Sequence, residues 1–287
     1  MIGLRHFLHP IRSSRSLYRR ASMSFYGPVA DRRLGKVRRT GRDRCWCGGE
    51  LGPFQWHASY GVCLQCTAYV NRRPPVREEL ERLYSLDLFW NVRQKQKGNP
   101  TIENRSACYR SDGRLSQWLN LVEKYGPPSG RVIEVGCAPG ALLEQLQQRG
   151  FDCVGVEVSP DVARWVQETT KVDVRCGFFP GIALPEAGMF LAFDVLEHSA
   201  APDAFMREAA RLLPPGGVAI IQTPVNRYDF VPPFGERFDL FDDIEHLFLF
   251  TDSALRKLAA SCGLEVESLE DNLWLGGEVC VFRKPRA

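Results

Sequence analysis

The sequence predicts an α/β fold in which a doubly wound, mainly parallel sheet follows a small cysteine-rich module. Two patterns carry this prediction. A short apolar strand at 131–135 leads into a glycine turn, a helix and a second strand, an order typical of parallel sheets. Ahead of it, four of the ten cysteines lie in two close pairs within residues 45–66, a spacing typical of metal-binding modules.

Composition is that of a soluble globular protein. Of the 287 residues, 44% are hydrophobic and 25% are charged, and no apolar run approaches the roughly 18 residues needed to span a bilayer. The net charge of +3 is too small to predict nucleic-acid binding by the whole molecule. Because the remaining cysteines are scattered among core-like segments, the pattern fits a reducing compartment, and we expect a cytoplasmic protein.

Residues 1–43 form a basic segment. Arginine and lysine are abundant there, and only Asp31 and Asp43 oppose them. The first apolar residues recur at helical spacing, although Pro10 would break or kink a helix: Leu4, Phe7, Leu8 and Ile11. Three interpretations stay open, namely a disordered basic tail, an amphipathic helix in peripheral contact with an anionic membrane, and a mitochondrial transit peptide.

Residues 44–75 are predicted to form a zinc-ribbon-like module. Its ligands would be Cys45, Cys47, Cys63 and Cys66, with His57 as a substitute ligand. The first pair has one intervening residue, where zinc ribbons usually have two. Four thiolates leave no open coordination position, so the zinc would be structural. We expect this ribbon to be a module separate from the catalytic domain.

Residues 76–129 are predicted to form a helical linker or cap, and residues 130–287 the sheet. After the first strand, 136–140 reads as a tight turn and 141–148 as a helix that Gly150 ends. The second strand, 153–157, is followed by Ser159, which is placed to cap the next helix. Ligands of such sheets bind where the parallel strands end.

The acids at these strand ends indicate the ligand. The turn has glycines only at Gly136 and Gly140, and the preceding Glu134 would repel a phosphate but attract an ammonium group. Glu157, at the end of the second strand, is placed to accept hydrogen bonds from two ribose hydroxyls. An ammonium group and a ribose without a diphosphate describe S-adenosylmethionine.

These residues resemble the motifs of class I S-adenosylmethionine-dependent methyltransferases. The turn matches the family's first motif with Ala138 at its usual middle glycine, and Glu157 matches the ribose-binding acid. Residues 193–198 resemble the loop after the family's fourth strand, and 212–223 the passage from a helix into the fifth strand. The resemblance implies a Rossmann-like, seven-stranded sheet. It also implies cofactor contacts from further residues: Cys137, Ala138, Val158, Phe178 and Asp194. The stretch 173–192 departs from the family, so the adenine contacts are not defined by it.

The whole chain is similar in order to bacterial methyltransferases of sugar, polysaccharide and natural-product pathways. These also place a cysteine ribbon and a helical segment before the catalytic domain. The similarity implies O-methylation of a small-molecule, sugar or glycan hydroxyl. Two alternatives stay open: an RNA methyltransferase that uses the zinc module to bind RNA, and a non-catalytic scaffold that binds S-adenosylmethionine.

Two histidines are candidates for removing the acceptor's proton. His198 follows Glu197 in the loop after the fourth strand, and His246 lies just before a helix predicted to begin near Thr251. With Asp194, these three residues resemble the set by which ubiquinone-pathway and small-RNA 2′-O-methyltransferases hold a divalent metal. That resemblance implies a metal against the acceptor oxygen. Between the histidines, the aromatic and proline-rich stretch 225–243 is predicted to form a lid over the acceptor.

Overall fold

The structure is a computed structural model that describes residues 35–126, 130–226, 240–272 and 277–286. The amphipathic helix predicted near the start and most of the predicted lid, residues 227–239, lie outside these ranges. Membrane contact and the transit peptide therefore stay predictions. Among the described residues, no helix is both long enough and apolar enough to cross a bilayer.

The ribbon is a small antiparallel meander. Its strands are β1 (Leu51–Pro53), β2 (Tyr60–Cys63) and β3 (Tyr69–Asn71), with β2 in the middle. Two cysteines precede β1, Cys63 ends β2, and Cys66 lies in the turn before β3. The strand pairing therefore brings both cysteine pairs to one end of the meander.

A helical segment follows the ribbon. It comprises α1 (Arg77–Leu83), a π-helix (Leu86–Arg93) that continues into a short helical turn (Gln94–Gln96), α2 (Ile102–Ser111) and α3 (Arg114–Tyr125). Helix α3 is amphipathic, and its apolar stripe is buried in the core beside the sheet: Leu115, Trp118, Leu119 and Val122.

The remaining elements alternate between strand and helix over the first three strands and less regularly after that. They are β4 (Arg131–Val135), α4 (Ala141–Gln148), β5 (Asp152–Glu157), α5 (Pro160–Thr170), β6 (Asp173–Cys176), β7 (Met189–Phe193), α6 (Pro202–Leu212), β8 (Val218–Thr223), β9 (Phe248–Leu249), α7 (Asp252–Ser261), β10 (Glu265–Asn272) and β11 (Gly277–Arg283). As predicted, Ser159 caps α5, and its side chain accepts a hydrogen bond from the backbone of Val162.

Seven of these strands form one sheet in the order β10-β11-β8-β7-β4-β5-β6. Strands β4 to β8 are parallel, and β11 runs antiparallel to β8 and β10. The predicted doubly wound, mainly parallel, seven-stranded sheet is confirmed. The chain winds outward from β4 in both directions, so the topological switch point lies between β4 and β7.

The central strands are mostly apolar because both faces of the sheet are covered. Every residue of β7 and β8 is buried. On one face Phe190 packs edge-to-face against Phe205 of α6. Burying a phenylalanine side chain contributes about 1.5–3 kcal/mol, so this helix is held mainly by its apolar stripe.

A second sheet joins the ribbon to the catalytic domain. Strand β3 pairs antiparallel with β9, which gives a four-stranded sheet in the order β1-β2-β3-β9. Residues Lys36–Ala287 form one compact unit. The expectation of a separate ribbon is therefore wrong, because β9 lies far along the chain and no local pattern marks it as a ribbon strand.

Candidate cofactor and acceptor site

A cavity of about 420 Å³ opens at the carboxyl ends of β4, β5 and β7. Its wall includes all the predicted catalytic residues and every predicted cofactor-binding residue except Gly140: Glu134, Gly136, Cys137, Ala138, Glu157, Val158, Phe178, Asp194, Glu197, His198 and His246. The helical segment before the sheet covers this cavity with aromatic side chains: Tyr84, Phe89, Trp90, Tyr109 and Trp118.

The glycines of the turn after β4 are required by its backbone. Gly136 has φ +69° and Gly140 φ +86°, values that side chains rarely tolerate. A Cβ at Gly136 would lie 2.5 Å from Val195, and one at Gly140 would lie 2.7 Å from Val166. Gly140 thus shapes the start of α4 without lining the cavity, whereas Gly136 lines the cavity and leaves room for the side chain of Val195.

Glu134 is a buried acid aimed at the cavity. It is 5% exposed, and its Oε2 atom has no hydrogen-bond partner among the described residues. Burial raises the pKa of this carboxyl well above its usual range. An unpartnered buried acceptor of this kind fits a ligand that brings an ammonium group, which would satisfy the oxygen and restore the charge.

Glu157 occupies the end of β5, as predicted. It is 8% exposed, and its Oε1 atom accepts a hydrogen bond of 3.1 Å from the backbone N–H of Ser159. Burial raises its pKa to about 7. The side chain lines the cavity, so its carboxylate fits the two hydroxyls of a ribose.

Phe178 and Val158 form part of the wall beyond Glu157. The guanidinium of Arg77, at the start of α1, lies 4.6 Å from the centre of the Phe178 ring. Cys137 is buried against Gly155, where a Cβ would approach its sulfur to 2.7 Å.

Glu197, His198 and His246 converge on the same cavity. One ligand atom from each lies within 4.8 Å of the others. The carboxylate of Glu197 is 1% exposed; Oε2 accepts a 2.8 Å hydrogen bond from Thr223, and Oε1 lies 3.8 Å from Nε2 of His198. Burial first, and Asp194 second, raise the pKa of Glu197 well above its usual range.

Backbone carbonyls determine the tautomer of both histidines. Nδ1 of His198 lies 2.8 Å from the carbonyl oxygen of Glu245 and 2.9 Å from the hydroxyl oxygen of Tyr84, which can accept as the carbonyl does. Nδ1 of His246 lies 2.6 Å from the carbonyl oxygen of Leu240. A carbonyl only accepts, so each Nδ1 carries the proton and each Nε2 keeps its lone pair. Burial lowers the pKa of His198 to about 4, which leaves this imidazole neutral near pH 7.

Asp194 does not join this group, although its place in the motif predicts that it should. Its backbone has φ +56°, and its Oδ1 accepts a 3.0 Å hydrogen bond from the side chain of Gln222. The expected set of four metal ligands is therefore reduced to three. The left-handed backbone and the short aspartate side chain keep the carboxylate with Gln222, in the part of the wall near the cofactor turn.

Arg105 and Arg114 are site residues that the sequence motifs did not reveal. Arg105 is 6% exposed, donates to Gln94 at 2.7 Å, and lies over Trp90, yet its Nε has no partner. Within the described ranges, no carboxylate forms an ion pair with it. Arg114 is paired with Asp112, and both arginines line the cavity. Their positions in two different helices carry no local sequence signal.

The four ribbon cysteines fit a zinc ion. Their sulfurs all lie within 4.8 Å of one another, with 3.6 Å between Cys45 and Cys66 and 3.5 Å between Cys47 and Cys63. Tetrahedral zinc with bonds of about 2.3 Å separates its sulfurs by about 3.8 Å. The backbone amides of Gln65 and Cys66 each approach the sulfur of Cys63 at 3.4 Å. His57 is not a member of this group.

Comparison with known proteins identifies the family of the chain. A family model described as a methyltransferase domain matches residues 109–269, more than half of the chain. A ubiquinone biosynthesis O-methyltransferase from Xanthomonas oryzae pv. oryzae is 31% identical over 101 residues, which cover 32% of this chain and 42% of that protein. One from Azorhizobium caulinodans is 33% identical over 100 residues, covering 32% and 40%. The chain spans about two fifths of the length of these curated relatives.

A solved structure shows the same fold. It is an amino pentose methyltransferase from Micromonospora echinaspora with S-adenosylmethionine bound, and the TM-score is 0.51 at 16% identity. The match covers 62% of this chain and 95% of that one. At this identity it supports the fold alone. The family match, the sheet order and the strand-end acids together assign the chain to the class I S-adenosylmethionine-dependent methyltransferases.

Proposed function

We propose that the protein methylates a hydroxyl oxygen of a small molecule, with sugar and glycan hydroxyls as the first acceptors to test. The observation that carries this proposal is the convergence of Glu197, His198 and His246 on the wall of the cofactor cavity. A hydroxyl must lose a proton when it is methylated, and these three groups are those suited to that task. The curated relatives named above are O-methyltransferases, which supports oxygen as the acceptor atom.

Charged side chains of the protein would hold the two charged groups of the cofactor and its ribose. Glu134 binds the ammonium group, the guanidinium of Arg105 binds the carboxylate, and Glu157 accepts hydrogen bonds from the ribose. Each of these side chains is buried and lines the cavity, so each contact forms away from water. Together they orient the sulfonium within the cavity that both histidines also line.

The cofactor supplies an electrophilic methyl carbon, and the protein supplies position and proton removal. As the acceptor oxygen bonds to this carbon, the carbon–sulfur bond breaks and the hydroxyl proton must leave. Nε2 of His198 and Nε2 of His246 have free lone pairs at the cavity, whereas their protonated Nδ1 atoms bind backbone carbonyls. This arrangement holds both rings in place with one lone pair each directed at the cavity, available either to accept a proton or to ligate a cation.

The pKa of about 4 makes His198 a weak base but a good neutral ligand. Because one ligand atom from each lies within 4.8 Å of the others, we propose that Glu197, His198 and His246 hold a divalent cation. Such an ion would lower the pKa of the acceptor hydroxyl, so that its proton could pass to water without a histidine as the base. Two imidazoles and one carboxylate are a common ligand set for divalent metals, and backbone carbonyls that fix ligating histidines are a common feature of metal sites.

The test is methyl transfer from labelled S-adenosylmethionine to a panel of sugars, phenols, amines and RNA. We expect labelled methyl ethers, loss of activity with a chelator, and recovery with magnesium, manganese or zinc. His246→Ala should lower turnover roughly 10²- to 10⁴-fold. Gln147→Ala, at an exposed position of α4 outside both ligand groups, should retain the native turnover. Methylation confined to amines or to RNA would contradict the proposal.

A further inference from the structure

The segment that carries His246 is fastened to the zinc ribbon. Strand β9 begins two residues after His246 and pairs with β3 through Tyr69 opposite Leu249 and Val70 opposite Phe248. The backbone N–H of Asn71 also donates to the carbonyl oxygen of Leu247 at 3.0 Å. The position of His246 along the cavity wall therefore depends on where the ribbon holds β9.

Tyr60 of β2 makes the most direct contact. Its side chain is 2% exposed, and its hydroxyl lies 2.6 Å from the carbonyl oxygen of His246 and 3.1 Å from that of Asp242. Because carbonyls only accept, the hydroxyl is the donor to this loop. It therefore holds the backbone on both sides of the turn that presents the His246 imidazole.

Neighbouring ribbon residues hold the same turn at Asp243. The hydroxyl of Ser59 donates to its carboxylate at 2.8 Å, and the side-chain amide of Asn71 donates to its carbonyl oxygen at 2.8 Å. From the other side, Arg93 and Lys97 form ion pairs with Asp242 and Glu245. The carbonyl of Glu245 in turn binds Nδ1 of His198, so both histidines depend on this turn.

The cysteine site lies close to these contacts in the chain. Cys63 ends the strand that begins with Tyr60, and Cys66 precedes the strand that ends with Asn71. A metal bound by four cysteines would therefore fix β2 against β3, and through them the turn at 242–246. The ribbon has no residue in the cavity wall, so its influence on the site is exerted through this turn.

We propose that the zinc ribbon positions the active site, with Tyr60 as the positioning residue for His246. The inference rests on the proposed role of Glu197, His198 and His246. It goes further because it makes the ribbon responsible for the position of His246 in that ligand group. The ribbon would then couple structural zinc to the binding of a second, divalent cation in the same chain.

Tyr60→Phe removes the hydroxyl and keeps the ring that packs edge-to-face on Phe241. Tyr69→Phe is the matched control, because its ring packs on the same Phe241 while its hydroxyl binds Asn226. The zinc-loaded chain is titrated with Mn²⁺ alone, and free Mn²⁺ is followed by electron paramagnetic resonance. Long-range proton–nitrogen spectra report the histidine tautomers. Zinc content and affinity for S-adenosylhomocysteine are measured in parallel.

We expect Tyr60→Phe to weaken Mn²⁺ binding and lower turnover roughly tenfold each, the effect of losing about one hydrogen bond. The His246 nitrogen resonances should shift, while zinc content stays at one per chain and S-adenosylhomocysteine affinity changes less than twofold. Tyr69→Phe should leave the Mn²⁺ affinity and the His246 resonances as in the native chain. Should Tyr60→Phe fail to fold, Ser59→Ala tests the same turn and should weaken Mn²⁺ binding in the same direction.

Native Mn²⁺ affinity and native His246 resonances in Tyr60→Phe would overturn the positioning role and leave the proposed function standing. Equal losses in Tyr60→Phe and Tyr69→Phe would also overturn it, since the effect would then belong to the ribbon's aromatic packing. Full turnover of His246→Ala would instead refute the proposed function itself, and this inference with it.

Discussion

Replacing Glu157 by glutamine tests the cofactor site, because it should weaken cofactor binding while it stabilises the free protein. The substitution keeps the shape of the side chain and one acceptor oxygen but removes the charge. In the free protein the charge is unfavourable, because the carboxyl is buried at the end of β5. In the complex the charge is favourable, because two ribose hydroxyls would donate to it. Glutamine should therefore weaken binding and stabilise the free chain.

The magnitude of the stability effect follows from the pKa. Burial raises the pKa of Glu157 from 4.5 to about 7, a difference worth about 3 kcal/mol at 1.36 kcal/mol per pKa unit. A raised folded-state pKa means that stability is fully present below about pH 4.5 and is lost as the pH rises through about 7. Above pH 7 the glutamine variant should thus exceed the native chain by up to about 3 kcal/mol, less the weakened hydrogen bond from Ser159.

The binding effect comes from charge-assisted hydrogen bonds. Loss of the charged acceptor should weaken S-adenosylhomocysteine binding by about 1–3 kcal/mol, or roughly 5- to 150-fold. The ratio of variant to native dissociation constants should be largest above pH 7. It should shrink as the pH falls toward 5, because native Glu157 then becomes protonated and resembles glutamine.

Calorimetric titration and chemical denaturation between pH 5 and 8 measure both effects. Glu168→Gln is the control, since it removes an exposed charge from α5 and should change neither quantity. A Glu157→Gln variant that binds as tightly as the native chain would refute the ribose assignment. Weaker binding together with lower stability above pH 7 would refute the account of the charge as a buried, uncompensated group.

Three further predictions follow from the same geometry. Arg105→Ala should weaken S-adenosylmethionine binding roughly tenfold or more in calorimetry, because the cofactor carboxylate loses its buried cation. Arg105→Lys should recover part of that loss, and unchanged affinity in Arg105→Ala would place the carboxylate elsewhere. Elemental analysis should find one zinc per chain. A Cys63→Ser, Cys66→Ser double variant should lose both the zinc and most of its turnover, since β9 belongs to the ribbon sheet. Full turnover without zinc would contradict this coupling. His198 should produce no ascending limb in the pH–rate profile between pH 6 and 8, because its pKa of about 4 leaves the imidazole neutral throughout. An ascending limb near pH 6.5 that disappears in His198→Ala would contradict the burial of this imidazole.

The sequence alone predicted the catalytic sheet and the two strand-end acids that line the cavity. Apolar runs, glycine turns and helix caps are local patterns, so 131–157 predicted β4, α4 and β5 nearly to the residue. The carboxyl ends of parallel strands meet at one edge of a sheet. Residues at strand ends, such as Glu134 and Glu157, could therefore be assigned to one ligand from their order in the chain, and both line the cavity.

Tertiary structure decided which distant residues share the site. Asp194 lies in the right motif, yet its left-handed backbone and its bond to Gln222 keep it out of the ligand group. Arg105 enters the cavity only because the helical segment packs over the strand ends, and a lone arginine in a helix has no pattern of its own. The pairing of β3 with β9 joins segments far apart in the chain, and a two-residue strand is too short to show periodicity. Contacts of this kind depend on how whole elements pack, which local sequence does not encode.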